Sequence, residues 1–184
     1  AYAFGNRNWG FNVLHQSIDP GFRADLGFIG QVGYTKSLVG GNHVWYRDDH
    51  AFNRINLAAD GFIVHRHDGQ LLERTVEANL SLQGPMQSNL GLHGLARTRD
   101  WQGRLFDERF LEASGNVGPT GNLQLGAHVL AGTMLDLTAA RTGHRLLVEL
   151  TGNANIGRGV ALDWGLSQQR LRRDGGTAYR ASVA

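Results

Sequence analysis

Cysteine is absent from the 184 residues. That excludes a disulfide framework and a thiolate metal centre. Lysine is nearly absent as well: Lys36 is the only one among 18 basic residues, and the rest are arginine. With 16 acidic residues the formal net charge is only +2, although the sequence pI is near 9.4. Charges of both signs are scattered along the chain and form no basic block, which argues against a nucleic-acid partner. No run approaches the roughly 18 apolar residues of a spanning helix, and the mean hydropathy is −0.29. A spanning β-strand stays open, because it needs only about 10 residues and alternate positions are free to be polar. Proline occurs 3 times, in Asp19-Pro20-Gly21, Gly84-Pro85 and Gly118-Pro119, always beside one of the 26 glycines. Such pairs read as breaks, since proline lacks a ladder donor and glycine tolerates positive φ.

What the chain does have is alternation. From Glu73 to Arg99, Val76, Ala78, Leu80, Leu82, Leu90 and Leu92 fall on one side; Glu73, Glu77, Asn79, Ser81, His93 and Arg97 fall on the other. A side-chain period of two is that of a strand, and the Gly84-Pro85-Met86-Gln87 break makes the pair a hairpin. The rhythm recurs along the chain. Phe11 and Val13 alternate with Asn12, and Ile55 and Leu57 with Arg54 and Asn56. Leu111 and Ala113 oppose Glu108 and Glu112, while Val129 and Ala131 oppose His128. Leu146, Val148 and Leu150 oppose Arg145 and Glu149; Leu162 and Leu166 oppose Asp163; Tyr179 and Ala181 oppose Arg180. Gly40-Gly41-Asn42 reads as a turn between Ile29–Leu38 and a strand from Val44, and Thr133 to Gly143 as a longer connection. The expectation is an all-β chain, an antiparallel up-and-down meander of nine to eleven strands and a single domain over residues 1–184.

The pattern fits a soluble sheet with an aliphatic core or a membrane barrel with an aliphatic outer wall. Three features favour the barrel. The aliphatic face is mostly Leu, Val and Ala rather than interlocking large and small residues. The strands are long enough to cross hydrocarbon. Trp101, Phe106 and Tyr179 lie near strand ends, where an interfacial girdle belongs. On this basis the chain forms a transmembrane β-barrel, or part of a larger one, in the bacterial outer membrane, with membrane lipid as a partner. The turns at Gly84-Pro85, Gly118-Pro119 and Asn155-Ile156-Gly157 alternate with more charged or longer ones and are placed in the periplasm. Ala1-Tyr2-Ala3-Phe4-Gly5 has no basic start or apolar core, and Ala178–Ala184 reads as a strand that stops partway. The expected chain is therefore an excerpt of a longer one.

Two stretches carry a family resemblance. Ser17-Ile18-Asp19-Pro20-Gly21-Phe22-Arg23-Ala24-Asp25-Leu26-Gly27-Phe28 resembles an Asn-Pro signature of the DUF5916 family, with Asp19 at the Asn position. Asp68-Gly69-Gln70-Leu71-Leu72-Glu73-Arg74 resembles that family's turn into a long strand. Those proteins join a carbohydrate-binding family 9-like module to a large outer-membrane barrel. The resemblance implies a barrel over nearly the whole chain and a saccharide-linked role, and it assigns no catalytic residue.

Candidate chemistry lies in three places. His15 and Ser17, two apart on one strand, pair a base with a hydroxyl. They resemble the His-x-Ser of outer-membrane phospholipase A, although Ile18-Asp19 stands where that family has Asn-Gly. His65-Arg66-His67-Asp68 has metal-type spacing but no third convergent ligand, so no metal is expected. The third place is the polar face. Glu73, Glu77, His93, Arg97, Glu112, His128, Arg145, Glu149, Asp163 and Arg180 are read as lumen-lining, paired across strands or meeting water. The expected function is a passage or anchoring scaffold for a polar solute, without a cofactor. A lipase-like hydrolase using His15 and Ser17, or a soluble all-β binding module, are the alternatives.

Overall fold

The fold comes from a computed structural model, which describes residues 1–22, 32–157, 159–173 and 176–183. Eleven strands follow one another in a single antiparallel sheet, each paired with its sequence neighbours. They are β1 Tyr2–Gly5, β2 Trp9–Ile18, β3 Tyr34–Tyr46, β4 Arg54–Arg66, β5 Leu71–Gln83, β6 Asn89–Trp101, β7 Arg104–Thr120, β8 Leu123–Asp136, β9 Arg141–Asn155, β10 Ala161–Arg173 and β11 Gly176–Val183. There is no helix among the described residues. The sheet is open, so a closed barrel is not part of the fold described. Strand direction alternates along the order, so β1 and β11 run the same way. Their free edges can meet only as a parallel pair.

The alternation sets two faces. Register rows such as His93↔Glu112 and Ser114↔His128 gather the polar side chains of β4 to β10 on what we call the inner face. Rows such as Leu80↔Leu92↔Ala113↔Val129↔Val148 gather the aliphatic ones on the outer face. Burial runs opposite to a soluble sheet. Val76 is 61% exposed and Leu111 54%, whereas Thr75 is 3% and Glu108 1%. Val44, Phe106, Leu130 and Leu147, four of the five buried hydrophobic residues, share the inner face with the charges. β7 and β9 approach one another across β8.

Several expectations change. Gly40-Gly41-Asn42 is not a turn but the middle of β3. A Cβ on Gly40 would lie 2.7 Å from Asp60 Cβ, and one on Gly41 3.0 Å from Gly10 O. The glycines mark close packing between strands. Gly118-Pro119 lies inside β7 at a register shift, and the reversal falls at Gly121-Asn122. The connection after Thr133 shrinks to residues 137–140, because β8 continues to Asp136. The two sets of turns do not sort by length or charge. The end that holds Gly84-Pro85 also holds the seven-residue Arg47–Asn53 connection, and the other end has the two-residue turn Gln102-Gly103. Trp101 and Phe106 are on the inner face, paired with Arg104 and Arg99, and form no outer girdle. Residues 23–28 of the resemblance, and the expected start of a strand at Ile29, lie outside the described residues.

Candidate functional site

The inner face carries a belt of acids and imidazoles. Glu77 on β5 bonds His93 Nε2 on β6 at 3.2 Å. Glu112 on β7 stands between two rings, 3.6 Å from His93 Nδ1 and 3.0 Å from His128 Nε2. His128 Nδ1 on β8 is 2.8 Å from Glu149 Oε2 on β9. Glu149 Oε1 accepts the Ser167 hydroxyl of β10 at 3.1 Å. Carboxylate and imidazole therefore alternate across five consecutive strands, and a hydroxyl ends the series on a sixth. The links are partly diagonal, since Glu77 is directly opposite Leu95 rather than His93. Diagonal neighbours are within reach of long side chains. A neutral imidazole has one N–H and serves one carboxylate, whereas a doubly protonated ring serves both. Asp60 of β4 is directly opposite Glu77 and extends the acidic end.

Toward the end of the sheet bearing Gln102-Gly103 lies a second cluster. Glu108, the one large side chain fully buried among the described residues, accepts from Arg97 Nε at 2.9 Å and from the Leu135 backbone N–H at 2.9 Å. Arg97 Nη2 lies 2.7 Å from the same carboxylate. Arg99 Nε lies 2.9 Å away without aiming its hydrogen at the oxygen, and Arg99 Nη2 donates at 3.5 Å. Glu73 adds a longer contact to Arg97 at 3.9 Å. Two guanidiniums around one dry carboxylate tie β6, β7 and β8 together. Toward the opposite end the inner face is amides and hydroxyls: Asn42, Asn56, Asn79, Ser81, Ser114, Asn116, Thr151 and Asn153. Asn42 donates to Asn56 at 3.3 Å, and Asn153 donates to Asp163.

The expected lumen residues thus divide. Glu77, His93, Glu112, His128 and Glu149 come together in the belt, and Glu73 and Arg97 in the second cluster. Arg145 reaches the Gln169 amide oxygen and Met134 Sδ, while Asp163 is tied to Asn153. Arg180 leaves the group. A register shift between Leu171 and Arg172 places it opposite Arg170, on the face away from Asp163. A slip of one residue exchanges the faces of a strand. Sequence reasoning missed Asp60, Glu108 as a buried anchor, and Ser167 as the belt's end. The alternation of β4, β7 and β10 contained all three.

His15 and Ser17 do share a face, but they are not bonded to one another. His15 Nδ1 pairs with Ser37 Oγ at 2.9 Å, and Ser17 Oγ with His67 Nε2 at 3.2 Å and Thr35 Oγ1 at 3.3 Å. These bonds form an outer-face rim, continued by Arg74 Nη2 to Thr98 at 3.3 Å, Thr98 to Asp107 at 2.6 Å and Thr133 with His144 at 3.3 Å. The rim borders the aliphatic band on the side of Asp68 and Gln102-Gly103. At the band's other end His43 lies between Trp9 and Trp45, with ring centroids 3.9 and 4.1 Å apart, and Trp164 stands over Gly152. Among the described residues no three His, Cys, Asp or Glu side chains are grouped to hold a metal ion. Comparison with protein-family models, curated proteins and solved structures finds no match to the chain.

Proposed function

We propose that this sheet is the wall of a transmembrane β-barrel in a bacterial outer membrane, with its aliphatic face against lipid and its inner face lining a passage for a polar solute. The observation that carries the reading is the inverted burial: the leucines and valines are open while Glu108 and Thr75 are closed off. In water that arrangement leaves a large apolar surface uncovered, well beyond the patches of a soluble monomer. In a bilayer it is the expected one. The band also has suitable proportions. From Leu146 to Ala154 along β9 it is roughly 20 Å tall at the usual strand tilt, against about 25 Å for outer-membrane barrels. Tryptophans at one border and a hydrogen-bonded polar rim at the other suit the two interfaces. Closure takes either a parallel seam between β1 and β11 or an odd number of further strands.

The amide and hydroxyl lining supports a neutral polyhydroxylated solute, since such groups exchange hydrogen bonds with hydroxyls at no charge cost. The resemblance of Asp68–Arg74 to DUF5916 barrels points the same way. The lipase-like reading has less behind it, because His15 bonds Ser37 and not Ser17. Heat-dependent migration on a denaturing gel tests the barrel. The expected result is a compact detergent-solubilised form that shifts on boiling; a monodisperse monomer in plain buffer would reject the membrane. Conductance across a planar bilayer then tests the passage, and a protein that inserts but stays sealed would leave only the scaffold role.

A further inference from the structure

We infer that the outer face carries a binding site for an anionic phosphorylated lipid, with its headgroup at Arg74 and His15 and an acyl chain in a groove over Gly61; the inference rests on the membrane reading above. The groove is a depression of about 520 Å³ across β2 to β5. Its floor is one register row, Val13↔Val39↔Gly61↔Val76. Val39 and Val76 stand 52% and 61% exposed on either side of the side-chain-free Gly61. The next row toward the rim is polar at both ends: His15↔Ser37↔Ile63↔Arg74.

The charges of this row fit an anion. Arg74 is exposed and donates to Thr98 Oγ1, and among the described residues no carboxylate lies within ion-pair distance of it. Asp107, the acid of the same row, is engaged by the Thr98 hydroxyl. His15 uses Nδ1 for Ser37. A guanidinium left unpaired at the edge of a hydrocarbon band is costly unless an anion meets it, and its planar fork matches phosphate oxygens. A free phosphate would use the row alone. A lipid uses the row and the groove together, and the two are contiguous.

Spin-labelled lipids test this. Wild type, Arg74→Gln and Gly61→Val are reconstituted in phosphatidylcholine vesicles with a trace of spin-labelled phosphatidylglycerol or phosphatidylcholine. Insertion is checked first by heat-dependent migration. A Cβ at Gly61 meets only Thr75 O at 3.4 Å and Val76 Cγ2 at 3.6 Å, so valine fits there and fills the groove. In the wild type, phosphatidylglycerol should be preferred over phosphatidylcholine at the protein surface by about two- to fivefold, the range of an exposed ion pair. Arg74→Gln should abolish that preference, and Gly61→Val should reduce it, with insertion unchanged in both. Insertion without any preference, or a preference that survives Arg74→Gln, would overturn this site while leaving the barrel intact. Failure of the wild type to insert would overturn both.

Discussion

The two faces of the sheet obey different rules. On the outer face side chains change along the strand in zones, from tryptophan through aliphatic to a hydroxyl and imidazole rim, and they make few specific contacts within the band. On the inner face nearly every charge of β5 to β9 has a named partner. The outer zones answer to the medium outside the sheet, whereas the inner pairs answer to one another. Exposure separates the two more sharply than composition does, because Val76 and Thr75 are sequence neighbours at 61% and 3%. The largest test of this contrast is Leu80→Arg against Asn79→Arg. A midplane arginine on the proposed lipid side should cost about 2–4 kcal/mol, while its inner-face neighbour gains water or Glu77. Folding titrations into detergent or lipid vesicles measure both, and equal losses would erase the distinction between the faces.

Within the inner face, depth separates two chemically similar glutamates of β7. Glu108 is 1% exposed and holds two arginines and a backbone N–H; the Glu112 side chain is 33% exposed and holds two imidazoles. Glu108→Gln leaves Arg97 and Arg99 without a full counter-charge. Breaking a buried pair costs about 3–5 kcal/mol, and the partial exposure of both arginines lowers that to about 2–3 kcal/mol. Glu112→Gln should cost less than about 1 kcal/mol. The same folding titrations decide, and a reversed order would mean that the belt rather than the second cluster holds the wall together.

At the tryptophan border, Gly152→Ala should cost about 1–2 kcal/mol by overpacking. A Cβ there collides with the Trp164 ring across the β9–β10 pair. Trp164 fluorescence should shift as the ring swings away. An unchanged spectrum and stability would show that the ring is not seated on Gly152.

The sequence made the faces of each strand legible, because a period of two needs no partner to be read. The middles of β2 and β4 to β10 fell where alternation put them, and the acids and histidines of the belt share one face, as their parity implied. What passes between strands was not legible. Arg180 changed faces because β11 has one extra residue, Ala178, opposite the Leu171–Arg172 step, which no composition signals. Gly40-Gly41 looked like a turn because glycine serves both turns and close packing, and only the side chains of Asn12 and Asp60 on the neighbouring strands decide between them. Trp101 and Phe106 sat near strand ends as expected, but parity with Arg99 turned them inward. His15 and Ser17 were placed on one face correctly; their true partners, Ser37 and His67, lie 22 and 50 residues away.

The belt offers the finest probe of the inner face. Asp60, Glu77, Glu112 and Glu149 surround His93 and His128, with Arg145 beyond Glu149 and the Ser167 hydroxyl at the end. With neutral rings the belt is strongly acidic. The passage proposed above should therefore favour cations, and Glu112→Gln with Glu149→Gln should lower that preference. The change should be about two- to threefold, because water and salt screen the charges over roughly 10 Å. Reversal potentials under a salt gradient measure it. His93→Gln with His128→Gln, which leaves the four carboxylates in place, should keep the cation preference. If the carboxylate double variant keeps the full cation preference, the selecting charges lie elsewhere, and the belt's role is to hold strands together rather than to face the solute.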